Sequence, residues 1–253
     1  MDLGLQGRRA VITGATRGIG RAIADAFVAE GCPVGLCARD AGQVNATVAA
    51  LRARGVGAAG AALDVADVAA VRAWIAEMAK ALGGIDIFVS NVSALGGSND
   101  DASWRRSVEV DLLGAVAGVE AALPFVEKSN AGAIAMINTS GSVQVWGPRT
   151  PYPVVKAGQL AYMKYLSAQC APKGVRVNAV SPGSIFFAGG VWDRRKRNEP
   201  ERYERMLRLN PMGRFGRPEE VANAVVFICS PAASFISGTN LVVDGAATVR
   251  VQN

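Results

Sequence analysis

Short runs of apolar residues alternate along the chain with longer stretches in which apolar residues recur about every three to four positions. The short runs have the length of buried strands, and the longer stretches, such as residues 68–78, have the period of amphipathic helices. Strands separated by roughly 10–20 helical residues are typical of βαβ units, which build parallel sheets. Strands are predicted at residues 10–13, 34–37, 59–63, 85–89, 133–137, 175–180 and 241–243.

This alternation predicts an α/β fold, in which a Rossmann-like, doubly wound parallel sheet of about seven strands carries helices on both faces. The pattern continues without a linker, so a single domain is expected over residues 1–253. Residues 184–218 break the alternation, because they have little strand character and hold several aromatic residues. Their length fits a lid over a substrate better than a simple connection.

The composition limits the classes of protein that the chain can belong to. Half of the 253 residues are hydrophobic and 29 are glycine, as suits a buried parallel sheet with tight turns. The early apolar stretches are short and interrupted, so we expect no signal peptide, no membrane span and a cytoplasmic protein. Histidine is absent, which excludes histidine-based triads and histidine metal ligands, and no metal is expected. No CxxC pair occurs, so reduced thiols are expected at Cys32, Cys37, Cys170 and Cys229.

The formal net charge of +6 raises the question of an acidic partner. Its excess is uneven: residues 193–208 hold seven basic and four acidic side chains. An uneven excess does not favour nucleic acid, and a solvated helix face is the simpler interpretation of this run. The alternative is that the run attracts a phosphorylated or acidic substrate.

A glycine-rich turn, residues 13–20, follows the first predicted strand and precedes a helix that is expected to begin near Arg21. Glycines let the backbone approach a pyrophosphate, and the N-terminus of a helix offers free N–H groups and a positive dipole end. The position between strand and helix in the first βα unit makes this a predicted dinucleotide site. Its candidate contacts are Gly14, Thr16, Arg17, Gly18, Ile19 and Gly20.

The end of the second strand predicts which dinucleotide binds. A carboxylate there would bind the ribose 2′-hydroxyl of NAD, but Ala38 occupies the position and Arg39 follows it. Arg17 and Arg39 can together hold the 2′-phosphate of NADP. The sequence therefore favours NADP(H) over NAD(H), with the alternative that Arg39 is a solvent residue and Asp40 binds the ribose.

Tyr152 and Lys156 are candidates for the chemistry, since four residues on a helix place them on one face. A free tyrosine has a pKa near 10, about three units too high for a base at neutral pH. A neighbouring ammonium favours the phenolate, so Tyr152 can exchange a proton with a carbonyl or alcohol oxygen during hydride transfer.

These motifs, in their order and spacing, resemble the compact single-domain form of the short-chain dehydrogenase/reductase family over essentially all of the chain. The similarity is greatest to the branch that contains the 3-oxoacyl-carrier-protein reductases. The further matching motifs are Asp64-Val65, Asn91, Asn178 to Gly183, and Gly238-Thr239 with Asp244-Gly245.

The resemblance implies roles for single residues along the cofactor. Asp64 would bond the adenine amino group while Val65 packs beside the ring, and Asn91 would brace the cofactor and the fourth strand. Lys156 would hold the ribose hydroxyls, and Pro182-Gly183 would face the nicotinamide.

Two positions depart from the family pattern. The usual serine after the fifth strand is replaced by Thr139 if residues are counted by register, with Ser140 as the rival should the strand carry a bulge. Asp111 stands where the family usually has asparagine, whose backbone carbonyl holds a water that links the lysine to solvent. An ionised Asp111 near Lys156 would offset the ammonium and raise the pKa of Tyr152, unless the carboxyl is protonated or turned away.

The leading hypothesis is an NADPH-dependent reductase of a bulky hydrophobic, aromatic or acyl-type ketone. The alternatives are an alcohol dehydrogenase that works oxidatively with NADP⁺ or NAD⁺, and a nucleotide-binding regulator without turnover. Family relatives are commonly tetramers, so a homotetramer is expected, with no nucleic-acid or membrane partner. The candidate substrate contacts are mostly apolar: Ser93, Leu95, Trp146, Phe187 and Trp192.

Overall fold

Seven parallel strands form one continuous sheet in the computed structural model, which describes residues 2–145 and 147–251. The strand order is β3-β2-β1-β4-β5-β6-β7, so the chain reverses its direction of travel across the sheet between β1 and β4. Such a switch point leaves a crevice at the carboxyl ends of the strands. The strands are β1 (Ala10–Thr13), β2 (Val34–Ala38), β3 (Ala58–Ala62), β4 (Ile87–Ser90), β5 (Ala133–Ile137), β6 (Arg176–Pro182) and β7 (Asn240–Val243).

Helices cover both faces of the sheet, as the fold prediction requires. One apolar cluster joins the sheet to α1, α2 and α9, and a second joins its other face to α3, α5 and α6. The central strands are buried on both sides, which explains their unbroken apolar runs. The helices are α1 (Gly18–Ala29), α2 (Ala41–Arg52), α3 (Val68–Leu82), α4 (Asp101–Ser107), α5 (Gly114–Val126), α6 (Pro151–Cys170), α7 (Val191–Asn198), α8 (Pro200–Arg208) and α9 (Pro218–Cys229).

Several predicted boundaries differ from the structure by a few residues, and two of the differences have identifiable reasons. The fourth strand begins at Ile87 and not at Ile85, because the Asp86 carboxylate is engaged by Arg9 through its backbone N–H at 2.8 Å and its guanidinium at 2.7 Å. The first helix begins at Gly18, three residues before Arg21, because the chain already turns into helical geometry inside the glycine-rich turn.

The segment after β6, which has little strand character in the sequence, forms two short helices, α7 and α8. Its two ends meet beside the sheet, where Ile185 and Gly216 form an isolated parallel bridge. Phe186 N–H donates to the Gly216 carbonyl at 2.9 Å, and Gly216 N–H donates to the Ser184 carbonyl at 3.0 Å. The helical pair is therefore anchored at its base.

Among the described residues, no helix combines the length and the apolar character needed to cross a bilayer.

Candidate functional site

A single channel of about 2170 Å³ runs along the carboxyl ends of the strands and collects most of the predicted site residues. Its volume is roughly twice the upper end of ordinary small-molecule pockets, as a dinucleotide together with a substrate would need. The predicted residues on its wall are Gly14, Thr16, Arg17, Ile19, Gly20, Arg39, Asp64, Val65, Asn91, Ser93, Leu95, Thr139, Ser140, Tyr152, Lys156, Pro182, Gly183, Phe187 and Trp192.

Two of the predicted residues that the structure describes, Gly18 and Asp111, fall outside that wall. Trp146 lies outside the described residues. Gly18 is covered by Phe187, and Asp111 lies in the protein interior with no exposed surface. Gly18 and Asp111 thus lie off the wall of the channel, and their predicted roles stay predictions.

The glycine-rich turn is shaped for a phosphate. A Cβ atom on Gly20 would collide with the Gly14 carbonyl and with the Asn91 amide, so only glycine permits this close approach. Asn91 ties the turn to β4: its Nδ2 donates to the Thr13 carbonyl at 3.0 Å and to the Gly14 carbonyl at 3.1 Å. No side chain among the described residues caps the N-terminus of α1, so its first N–H groups face the channel as an anion site.

Two arginines and one aspartate stand at the end of the channel that the second strand forms. Arg17 is the residue that precedes α1, and both it and Arg39 line the channel with exposed side chains. Asp40 instead caps α2, where its Oδ1 accepts from the Gln43 N–H at 2.8 Å. One carboxylate oxygen of Asp40, the alternative residue for binding the ribose, is thus occupied by the helix cap. Arg17 and Arg39 both line the channel.

Asp64, the candidate contact of the adenine, already has partners for both of its oxygens. Oδ1 accepts from the Ala66 N–H at 3.1 Å, and Oδ2 accepts from Arg106 Nη2 at 2.5 Å. Burial acts to raise the pKa of Asp64, but the Ala66 amide and the Arg106 guanidinium outweigh it, so that the pKa is lowered. Arg106, on α4, also lines the channel, and the sequence analysis missed it.

Tyr152 opens α6 beside the residue that follows β5. Thr139 is a close neighbour of Tyr152, and its side chain acts to lower the pKa of the phenol. Burial has the larger, opposite effect and the Asp111 charge adds to it, so the pKa of Tyr152 is raised to about 12. The hydroxyl that meets Tyr152 belongs to Thr139 and not to Ser140.

The Lys156 ammonium is buried among three acceptors, and the side chain is only 1% exposed. Its Nζ donates to the Ile137 carbonyl at 2.9 Å and to Gln159 Oε1 at 3.1 Å, and it lies 3.5 Å from Asp111 Oδ1. Burial lowers the pKa of Lys156, and the Asp111 charge opposes that shift. The carboxyl is not turned away, which removes one of the options that the sequence left open.

Asp111 lies beside Lys156 because it belongs to a π-helical turn, Val108–Leu113. This turn is part of the continuous helix that joins α4 to α5. Wider helical turns of this kind often occur at functional sites. Asp111 Oδ2 accepts from the Ala94 N–H at 3.1 Å, and among the described residues Oδ1 has no hydrogen bond. Asp111 is therefore linked to the channel through Lys156 and does not line it.

Gln159 and Asn138 complete the support of this group, and the sequence analysis named neither. The Gln159 amide joins two members, because its Nε2 donates to the Asp111 carbonyl while its Oε1 accepts from Lys156. Asn138 Nδ2 donates to the Lys156 carbonyl at 2.8 Å, and its Oδ1 accepts from the Thr139 N–H at 2.8 Å. The spacing of three residues between Lys156 and Gln159 was the available signal.

Phe187 joins the segment after β6 to the glycine-rich turn. Its ring occupies the space that a side chain on Gly18 would need, and Gly18 has a φ of +55° that also favours glycine. Trp192 stacks against Phe215 with ring centroids 4.8 Å apart. Phe187 was predicted as a substrate contact. It lines the channel and also packs against the glycine-rich turn, the predicted phosphate site.

The remaining potentially reactive groups include the four cysteines, of which Cys37 lines the channel. Among the described residues, no group of three or more potential ligands could hold a metal ion. All four cysteines are unpaired and buried, and burial raises the pKa values of Cys37 and Cys229 to about 12. Such thiols are poor nucleophiles.

Known proteins resemble this chain in sequence and in fold over nearly its whole length. Residues 14–248 match the family model described as enoyl-(acyl carrier protein) reductase. An isoepoxydon dehydrogenase of Penicillium expansum is 38% identical and covers 100% of this chain and 99% of its own length. L-Sorbose reductase of Gluconobacter frateurii, solved with NADPH and L-sorbose, superposes with a TM-score of 0.90 at 30% identity over 99% of this chain and all of its own. A 3-oxoacyl-[acyl-carrier protein] reductase of Brucella melitensis with bound NAD gives 0.82 at 31% identity, over 96% and 93%.

Proposed function

The chain belongs to the short-chain dehydrogenase/reductase family, and on that premise we propose that it is an NADPH-dependent ketone reductase in which Tyr152 protonates the substrate oxygen. As a member of this family it is an oxidoreductase that acts on CH–OH groups and transfers a hydride between a nicotinamide dinucleotide and an alcohol or ketone. The proposal adds the preferred cofactor, the direction and the substrate type.

The observation that carries the proposal is that Tyr152, Thr139 and the glycine-rich turn line the same channel, with the Thr139 side chain acting on the phenol. A phenol with a raised pKa stays protonated near neutral pH, which suits a proton donor and disfavours a base. In reduction the protonated phenol can donate its proton to the carbonyl oxygen directly, and for this reason we propose ketone reduction as the working direction.

The residues along the channel fit a dinucleotide. The glycine-rich turn and the uncapped N-terminus of α1 would hold the pyrophosphate. Arg17 and Arg39 would hold the 2′-phosphate, since Asp40 is engaged as a helix cap. Relatives of both kinds are known, one solved with NADPH and another with NAD, so NADP(H) is proposed from these side chains and not from the relatives.

When bound, the nicotinamide ring supplies the hydride for the carbonyl carbon. Tyr152 donates its phenol proton to the carbonyl oxygen, and the Thr139 hydroxyl orients both oxygens. Lys156 acts through its charge, which Gln159 and the Ile137 carbonyl hold in place. Asp111 weakens that charge and keeps the phenol protonated.

We further propose that residues 184–218 serve as the lid, that a hydrophobic or acyl-type ketone binds beneath it, and that the protein is a cytoplasmic homotetramer. Phe187 and Trp192 line the channel from the lid side, which supports an apolar substrate.

Val108 and Leu113 are 36% and 50% exposed on the outer side of the π-helical turn, and apolar exposure next to α5 supports a subunit interface there.

A screen of ketones that follows the loss of NADPH absorbance, repeated with NADH, tests the proposed function. Ketone-dependent consumption, faster with NADPH than with NADH, is the expected result. Tight NADPH binding without turnover of any ketone or alcohol would instead support a regulator that has lost catalysis. Faster reaction with alcohols and NADP⁺ or NAD⁺ would favour the oxidative alternative.

A further inference from the structure

Three arginines line the channel from the lid helices: Arg195 on α7, and Arg202 and Arg205 on α8. The acidic side chains on the wall of the channel, as far as the structure describes it, are Asp40 and Asp64. Both belong to the end where the sequence predicts the adenosine half of the cofactor. The lid therefore gives its part of the channel a positive charge.

Helix geometry directs these arginines into the channel together with apolar neighbours. On α8 the lining residues are Arg202, Arg205 and Met206, followed by Leu209 just beyond the helix, a spacing that places them on one face. On α7 the lining residues Trp192 and Arg195 are three apart, which also gives one face. Each helix thus contributes guanidinium groups and apolar surface to the same space.

Arg195 is held in place by an aromatic stack. Its guanidinium carbon lies 4.7 Å from the centroid of the Trp192 ring, and that ring packs 4.8 Å from Phe215, which is only 6% exposed. The Arg195 side chain retains 27% of its exposure. Cation–π stacking on a half-buried tryptophan, itself packed on a buried phenylalanine, restrains the planar group for bidentate recognition, unlike a free surface arginine.

The positive charge of this cluster is only partly compensated. Glu199 Oε2 accepts from Arg202 Nη1 at 2.9 Å, whereas Glu199 Oε1 is 4.0 Å from Arg195 Nε, beyond hydrogen-bonding distance. Arg205 has no ion-pair partner among the described residues. The Glu199 carboxylate is therefore the one negative group within ion-pair distance of this cluster among the described residues, against three guanidiniums. Burial and the neighbouring Arg202 charge lower the pKa of Arg195.

From this arrangement we infer that the substrate carries an oxyanion group, a carboxylate or a phosphate, which Arg195, Arg202 and Arg205 bind while its carbonyl lies at Tyr152. The inference rests on the proposed function and names the substrate class for it. Trp192, Met206 and Leu209 line the same space, so the segment between the anion and the carbonyl is an apolar chain or ring. The 2′-phosphate of the cofactor is served by Arg17 and Arg39 elsewhere in the channel.

Matched ketones that differ in charge test this inference. The probes are para-acetylbenzoate and its methyl ester, laevulinate and its methyl ester, and dihydroxyacetone phosphate and dihydroxyacetone, each with saturating NADPH. In at least one pair, kcat/KM for the anionic probe is expected to exceed that of its neutral partner about tenfold or more. Equal or lower kcat/KM for the anionic member in every pair overturns the inference.

Variants connect that preference to the lid. Arg195→Gln is expected to reduce the preference for the anion about tenfold, and Arg195→Lys to restore part of it. Arg208→Gln is the matched control, since it removes the same charge from α8 at an exposed position that does not line the channel. Should Arg208→Gln reduce the preference as much as Arg195→Gln does, the effect belongs to overall charge and the inference is wrong.

Calorimetry on protein saturated with NADP⁺ separates this inference from the proposed function, because it needs no turnover. Tighter binding of para-acetylbenzoate than of its ester, lost in Arg195→Gln, supports the anion site even if no ketone is reduced. Turnover of neutral ketones with equal binding of the anionic and the neutral member in all three pairs supports the reductase and overturns the anion site.

Discussion

Replacing Asp111 by asparagine should shift the pH dependence of alcohol oxidation toward acid. The substitution preserves shape, and an asparagine oxygen can still accept from the Ala94 N–H. It removes a buried negative charge that lies 3.5 Å from the Lys156 ammonium and that helps raise the pKa of Tyr152 to about 12. Without that charge the phenolate is easier to form, and the pKa of Tyr152 falls.

The expected size of the shift follows from the causes of the raised pKa. The pKa of Tyr152 is raised from its ordinary value of 10.0 to about 12. Burial is the larger cause and the Asp111 charge is the second. A neighbouring charge typically shifts a pKa by about one unit or more. Below the pKa, a fall of one unit gives about ten times more phenolate, so kcat/KM for alcohol oxidation at a fixed pH should rise about tenfold.

Lys156 must stay charged for this result, so its remaining acceptors must hold the ammonium against burial once the opposing Asp111 charge is gone. After the substitution its Nζ keeps the Ile137 carbonyl and the Gln159 amide oxygen as acceptors. The measurement is the pH profile of kcat/KM for the oxidation of a secondary alcohol, compared with that of Asp101→Asn. Asp101 is an exposed carboxylate on α4, so its removal should leave the profile in place. An unmoved or alkaline-shifted profile for Asp111→Asn would refute the reasoning.

Three further predictions follow from the structure. Arg39→Ala should weaken NADPH binding about tenfold or more and NADH binding far less, as measured by fluorescence titration; equal losses would contradict the proposed 2′-phosphate site. Phe187→Ala removes the ring that covers Gly18 and should speed NADP⁺ release in stopped-flow experiments, whereas an unchanged rate would mean that the contact does not limit release. Asp86→Asn should lower the free energy of unfolding by about 2 kcal/mol near neutral pH, since hydrogen bonds from Arg9 outweigh burial and hold the pKa of Asp86 at about 2, against an ordinary 3.8. Because that pKa is lowered, the stabilisation is present above the ordinary value and disappears as the pH falls toward about 2; urea unfolding at several pH values should show the two proteins converging there.

The fold was predictable because its signals are local. Buried central strands leave continuous apolar runs, and amphipathic helices leave a period that can be counted. The strand at Ala133–Ile137 was predicted to the residue, whereas the start at Ile87 was not, because it depends on Asp86 meeting an arginine far away in the chain. The sequence order of Asp86 and Ile87 gives no sign of that contact.

The candidate site divides in the same way. Tyr152 and Lys156 are four residues apart on one helix, and a spacing of this kind can be recognised in any sequence. The pairing of Arg106 with Asp64 joins residues 42 positions apart and depends on how α4 lies against β3. The role of Gln159 depends on the π-helical turn that brings the Asp111 carbonyl to its amide, and such a turn has no apolar period of its own.

Turnover and cofactor affinity of Tyr152→Phe, measured together, test the central claim most directly. The variant keeps the ring and loses only the hydroxyl, so kcat/KM for ketone reduction should fall about 100-fold or more while the Kd of NADPH changes little. Tyr165→Phe is the control, since Tyr165 lies on the same helix with 75% of its surface exposed. Full turnover by Tyr152→Phe would contradict the account, because another group would then supply the proton.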